Sequence, residues 1–159
     1  MEEKQVILSV EHLMISFSQY VGGWRQRKLP VIRDLNIKVR EHEVVAVAGS
    51  SGSGKSLLAH AVMGLLPQNA ACQGTVSFDG EILNQKKKEQ LRGSRMVLVP
   101  QSVSYLDPLM KVGEQVRRGQ KDRESVMRCR QSMGRYGLGE DTEELYPFEL
   151  SGGMTRRVL

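Results

Sequence analysis

The chain has 159 residues, of which 40% are hydrophobic and 26% charged, enough for one domain with an apolar core and too apolar for a disordered tail. Its formal net charge of +5 suits nucleic acid, an acidic membrane surface or a polyphosphate equally, so motifs have to choose among them. Cys72 and Cys129 are too far apart for a Cys-x-x-Cys pair and too few for a secreted disulfide framework, no run approaches the ~20 apolar residues of a membrane span, and Met1-Glu2-Glu3-Lys4 is no signal-peptide start; a cytoplasmic protein, at most peripheral on a membrane, is expected.

Val6, Leu8 and Val10 alternate with polar neighbours, and Leu13, Ile15 and Phe17 resume the alternation after a slip at Glu11-His12, which predicts a strand with a bulge. Gln19 to Pro30, around Gly22-Gly23, reads as a polar, basic loop. Leu35, Ile37 and Val39 then predict a second, antiparallel strand. Val44 to Ala48 is an unbroken small apolar run, the pattern of a strand buried on both faces in a parallel core. Leu58, Ala61, Val62 and Leu65 place one apolar stripe on a helix that closes near Gly64 and Pro67. Val76 and Phe78 lead to an Asp79-Gly80 turn, Lys86 to Arg92 predicts a short charged helix, and Met96 to Val99 another buried strand. Beyond Pro108 the segments Val112 to Arg118 and Asp122 to Tyr136 are helical and basic, with no further strand, which predicts an inserted helical subdomain. No internal repeat is visible.

Gly49-Ser50-Ser51-Gly52-Ser53-Gly54-Lys55-Ser56 satisfies G-x-x-x-x-G-K-[ST] between the apolar run and the amphipathic helix, the context its mechanism requires. The glycines let successive backbone N–H groups face one anion, and the helix adds its unpaired donors and positive dipole end. Lys55 supplies a charge for the outer phosphates, and the Ser56 hydroxyl an oxygen ligand for Mg2+. A nucleoside triphosphate with Mg2+ is the expected ligand. The motif alone leaves kinases, GTPases, helicases and transporters open.

Leu150-Ser151-Gly152-Gly153-Met154, with Arg157, provides a second anion-binding helix start, with Ser151 as N-cap and two glycines that keep the approach free of side chains. Together the two motifs resemble those of ABC ATPases, whose signature is usually Leu-Ser-Gly-Gly-Gln. The resemblance runs from about Val6 to the last residue. It implies a P-loop α/β fold with a parallel core sheet, an N-terminal antiparallel β part and the inserted helical subdomain, divided at about 1–100 and 101–159. It also implies that Ser151, Gly152 and Gly153 complete the site of an ATP held by a second ABC ATPase subunit, in a head-to-tail dimer. Gln101 is similar to the family's Q-loop glutamine, which contacts Mg2+ and the attacking water where the permease docks. The aromatic expected to stack on adenine is Phe17, with Tyr20 as competitor and packing in a strand as the plainer role of Phe17.

Met154 in the signature, the lead-in Tyr146-Pro147-Phe148-Glu149, and Leu106-Asp107-Pro108-Leu109 after Gln101 resemble the nickel, dipeptide and oligopeptide importer group. An ATP-binding subunit of such an importer, with permease partners at the inner face of the membrane, is therefore the implied function. Departures are His42, where a glycine commonly stands, and Arg156, where glutamine is frequent. The family's Walker B carboxylates and switch histidine follow the signature, and none of His12, His42 and His60 stands in that position, so the expectation is a chain that binds ATP without hydrolysing it, a truncated form of a longer ATPase. The alternatives are an ABC-type ATPase of DNA repair or translation, for which the basic stretch Arg117 to Arg135 speaks, and a non-catalytic nucleotide-binding fragment. Zinc-binding cysteine sets and a long coiled coil, which would favour nucleic acid, do not occur in the sequence.

Overall fold

The computed structural model describes residues 4–21 and 25–159; Gly22-Gly23, around which the loop is expected, lies outside them. The chain forms two compact units, Met1–Leu98 and Val99–Leu159.

In the first unit β1 (Val6–Val21), β2 (Arg25–Arg40), β3 (Ala70–Phe78) and β4 (Glu81–Ile82) form one antiparallel sheet in the order β2-β1-β3-β4. The bulge expected in β1 is present: its pairing with β3 shifts between Glu11 and Met14, and His12 takes a left-handed φ of 51°. One extra residue switches the inward face from even positions (Val10) to odd ones (Leu13 and Ile15), and all three are at most 1% exposed. Opposite the bulge, Gly74 has φ 105°, and a Cβ there would stand 2.5 Å from the His12 carbonyl oxygen. Backbone cannot give way as a side-chain tip can. Gly74→Ala is expected to destabilise the chain by about 2 kcal/mol or more, read as a lowered midpoint in urea unfolding; an unchanged midpoint would refute the close approach.

The expected loop from Gln19 to Pro30 is instead the far end of a ribbon, because β1 runs on to Val21 and β2 starts at Arg25. Residues 25–30 are all exposed, so no apolar alternation marks them; cross-strand pairing does the work, as in Gln26 Nε2 donating to Tyr20 Oη at 2.8 Å.

Helix α1 (Lys55–Met63) lays Leu58, Ala61 and Met63 on a core shared with Val10, Leu13, Ile15, Ile32, Val76, Leu83 and Met96. It ends at Gly64 in left-handed conformation, φ 67°, whose N–H bonds back to the Ala61 carbonyl. Helix α2 (Gln85–Leu91), capped by Asn84, completes that end: Lys88 Nζ donates to the Ala61 carbonyl at 2.7 Å, and Arg92 donates to the carbonyls of Met63 and Gly64 at 2.8 Å each. These cations meet the last, otherwise orphaned acceptors of α1 and its negative dipole end. Burial pushes the Lys88 ammonium below the usual lysine range, partly opposed by the neighbouring Cys72.

The parallel core sheet expected from Val44–Ala48 and Met96–Val99 is not formed among the described residues. Neither run belongs to a strand, and the parallel contact recorded is an isolated bridge between Arg92 and Met96. A buried strand needs a ladder on its flanks and cover on its faces; here no described strand pairs with these runs, and Val44 is 97% and Val97 71% exposed.

The second unit is helical, as expected: α3 (Val112–Val116), α4 (Arg123–Arg135) and α5 (Gly152–Val158), with single 3-10 turns at Val103–Tyr105, Glu140–Glu144 and Pro147–Glu149. Asp122 caps α4 through its side chain, which accepts from Ser125 N at 2.9 Å. Val112, Cys129, Met133 and Leu138 form a small core. Beside it lies an ionic knot missed by the sequence reading: Glu143, 4% exposed in its side chain, accepts from Arg117 Nη1 at 3.0 Å and from Arg130 Nε at 2.7 Å. Its charge pattern spans α3, α4 and the turn that follows, so no local period announces it.

Candidate functional site

The loop from Gly49 to Gly54 folds over the start of α1. Gly52 and Gly54 take φ of 79° and 95°, conformations that glycine adopts without steric cost. Gly54 is further confined, since a Cβ there would meet Ile32 Cγ1 at 3.1 Å and Val31 Cγ1 at 3.3 Å of β2; at Gly49 a Cβ would stand 2.6 Å from Ser53 Oγ. The Ser53 N–H closes back on the Ser50 carbonyl at 3.3 Å.

Lys55 is the first residue of α1, and its Nζ donates to the Gly49 and Ser50 carbonyls at 2.8 and 2.7 Å. The ammonium thus bridges the mouth of its own loop. The first turn of α1 carries no acidic residue and Gly54 offers no side-chain cap, so the helix start keeps unpaired N–H groups and no built-in anion. Ser56 is exposed, and its hydroxyl makes no hydrogen bond among the described residues. Ser50, Ser51 and Ser53 are exposed along the same loop.

Phe17 is half-buried and packs against the sheet core, paired in register with Leu29 and Ala70, which is the strand role weighed against stacking; Tyr20 is 70% exposed. In the second unit Gln101 is exposed, just beyond the unpaired run 97–100.

The signature begins as its residue types require. Ser151 Oγ accepts from Met154 N at 3.3 Å, and the Ser151 carbonyl accepts from both N and Oγ1 of Thr155 at 2.9 Å. Gly152 and Gly153 have nothing within 4 Å of where a Cβ would stand, so they leave open space over the backbone. Met154, at the position where glutamine is usual, packs against the small core of this unit. Arg157 Nη1 donates to the carbonyls of Tyr136 and Gly137 at 3.1 and 3.0 Å, which ties α5 to the end of α4. Arg156 is exposed. The lead-in is ordered by Tyr146 and Phe148, stacked 5.5 Å apart, and by Glu149 accepting from Tyr146 N at 2.8 Å.

His42 has φ 54°, which explains why glycine suits that turn elsewhere. His12 Nδ1 lies 3.0 Å from Asp34 Oδ1 at the bulge, and His60 is in the last turn of α1. No group of three or more His, Cys, Asp or Glu positioned for a metal occurs among the described residues, and no described helix is long and apolar enough to cross a membrane. Sequence reasoning missed the bracing of α1 by Lys88 and Arg92; the clustered cations of α2 were its only trace.

Two solved structures share the fold. One is the ATP-binding cassette MJ0796 in a dimeric post-hydrolysis state bound to ADP and Pi (TM-score 0.75, 24% identity, 96% of this chain and 66% of that one). The other is a nucleotide-free ATP-binding cassette from an ABC transporter (TM-score 0.66, 21% identity, 97% and 64%). Among curated proteins, the oligopeptide transport ATP-binding protein AmiE of Streptococcus pneumoniae is 30% identical over 99% of this chain and 47% of its own length. The oligopeptide transport ATP-binding protein OppD of Salmonella typhimurium is 33% identical over 97% and 48%, and the probable D,D-dipeptide transport ATP-binding protein DdpD of Escherichia coli 30% over 98% and 50%. The chain spans about half the length of these relatives. Residues 32–159 match the ABC transporter family, more than half of the chain, and the chain belongs to that family.

Proposed function

We propose that residues 1–159 form the nucleotide-binding front part of the ATP-binding subunit of a peptide importer. The observation that carries this reading is the Lys55 ammonium, held by two loop carbonyls at a helix start that has free N–H donors and no anion of its own. An outer phosphate of ATP offers that ammonium a charged acceptor in place of neutral carbonyls, a stronger hydrogen bond. The backbone N–H groups from Ser50 to Ser56 then face the phosphates.

The unpartnered Ser56 hydroxyl suits Mg2+, a hard cation that takes oxygen ligands. The bound cation would neutralise phosphate charge. Ser151, Gly152 and Gly153 are offered to an ATP held by a second subunit, and the open space above both glycines supports that role. Stacking on adenine falls to whatever face of Phe17 its packing leaves open, or to the exposed Tyr20. The relatives' names support peptides as cargo and give no support to nickel. Hydrolysis and transport are proposed for the whole protein, docked peripherally on membrane permease subunits.

The test is titration of the chain with a fluorescent ATP analogue, with and without Mg2+, while phosphate release is followed. Saturable binding that Mg2+ strengthens is expected, with no release from the 159-residue chain. Ser56→Ala should remove most of the Mg2+ enhancement and leave Mg2+-free binding within about fivefold of the parent, because one neutral hydroxyl contributes about 1 kcal/mol or less outside metal coordination. Equal binding of the variant with and without Mg2+ supports the assignment; an undiminished Mg2+ effect excludes Ser56.

A further inference from the structure

The basic stretch of the second unit is not used by the nucleotide reading, and it is not a uniformly solvated face. Between α3, the turn after it and α4 lies a pocket of about 330 Å³, lined among others by Arg117, Arg118, Gln120, Ser125, Arg128 and Ser132, with no acidic residue in its wall. Three arginines line it. Arg117 donates to Glu143, which also accepts from Arg130. Arg117 Nε is buried and has no hydrogen-bond partner among the described residues. Arg118 has no described partner, and Arg128 makes only long contacts, 3.9 Å to Glu124 and 3.4 Å to Ser125 Oγ. The Ser125 hydroxyl donates to Gln120 Oε1 at 3.0 Å, which leaves the Gln120 amide N–H groups and the Ser132 hydroxyl as neutral donors at the same pocket.

Like charges gathered in a concave, partly desolvated wall repel one another unless a counter-charge joins them. Guanidiniums bind oxyanions through paired N–H donors, and a tetrahedral dianion offers more acceptor oxygens than a carboxylate does, which matches three guanidiniums with an amide and a hydroxyl. We propose that this pocket is a binding site for a phosphate monoester dianion, distinct from the nucleotide loop and lying wholly within the second unit. Two sources present that chemistry: a soluble phosphate, and the headgroup of an acidic lipid such as phosphatidic acid. The site does not depend on the nucleotide reading.

The experiment uses the 159-residue chain carrying Lys55→Ala, so that the phosphate loop does not compete. Inorganic phosphate is titrated calorimetrically at low salt, and co-sedimentation is measured with phosphatidylcholine vesicles with and without phosphatidic acid. Arg118→Gln with Arg128→Gln removes two pocket cations at exposed positions, and Lys121→Gln with Arg123→Gln removes two exposed cations outside the pocket wall. The pocket pair is expected to weaken binding at least about tenfold and the control pair less than about twofold. Binding of free phosphate without preference for the acidic vesicles identifies a soluble ligand; vesicle binding that depends on phosphatidic acid identifies the lipid. The proposal is overturned if neither probe binds at millimolar concentration, or if both variant pairs lose affinity equally, which would mean diffuse charge.

Discussion

Lys55→Ala is expected to weaken binding of Mg2+-ATP at least about tenfold, the largest single effect at the site. A charge-assisted hydrogen bond contributes about 1.5–3 kcal/mol, and each 1.4 kcal/mol is tenfold in affinity. The free protein already gives the ammonium two carbonyl partners at 2.7 and 2.8 Å, so binding exchanges those bonds for charged ones and realises only the difference. The variant also unties Gly49 and Ser50 from the helix start. Circular dichroism separates the two effects: an unchanged spectrum with lost binding assigns the loss to the phosphate contact. Binding retained within threefold would show that Lys55 does not face the phosphates, and the nucleotide reading of the loop would fall.

Glu143→Ala is expected to cost about 3–5 kcal/mol of stability, because it leaves Arg117, 13% exposed in its side chain, as a buried cation with no counter-charge. Thermal unfolding should drop by many degrees, since about 1 kcal/mol shifts the midpoint of a domain of this size by roughly 2–8 °C. Arg130→Ala should cost far less, because its side chain is 60% exposed and Glu143 keeps Arg117. Equal losses in the two variants would mean that the carboxylate does not serve mainly to neutralise Arg117. An apolar substitution of both Arg117 and Glu143 tests the same point from the other side. It removes the charge and its need together, and should recover much of the loss.

The sequence reveals most where a residue type has one physical job. The even-to-odd switch at Glu11-His12 announces the bulge in β1; Ser151 and Asp122 announce helix starts that both occur as side-chain caps; Gly64 ends α1 in the left-handed conformation that glycine permits. The loop before α1 is legible in its backbone: Gly52 and Gly54 take the positive φ that glycine permits, and Lys55 opens the helix. The ribbon at Tyr20 and Gln26 is illegible because its strands bury no face, so pairing alone holds them and composition reads as a loop. Glu143 is invisible because its two partners belong to separate segments of the chain. Val44–Ala48 has the apolar character of a buried strand, but that character describes what the segment can bury, and the described residues offer it no ladder.

That bare run also governs how the material behaves in the tube. Residues 44–48 present backbone donors and acceptors outside any strand, beside Val44, Val45 and Val47 at 97%, 37% and 42% exposure, with no proline to interrupt them. Such a surface templates a strand from any neighbour that meets it, another copy included. Light scattering should therefore rise with protein concentration well before the fold is lost, and a lysine placed at Val45 should suppress it.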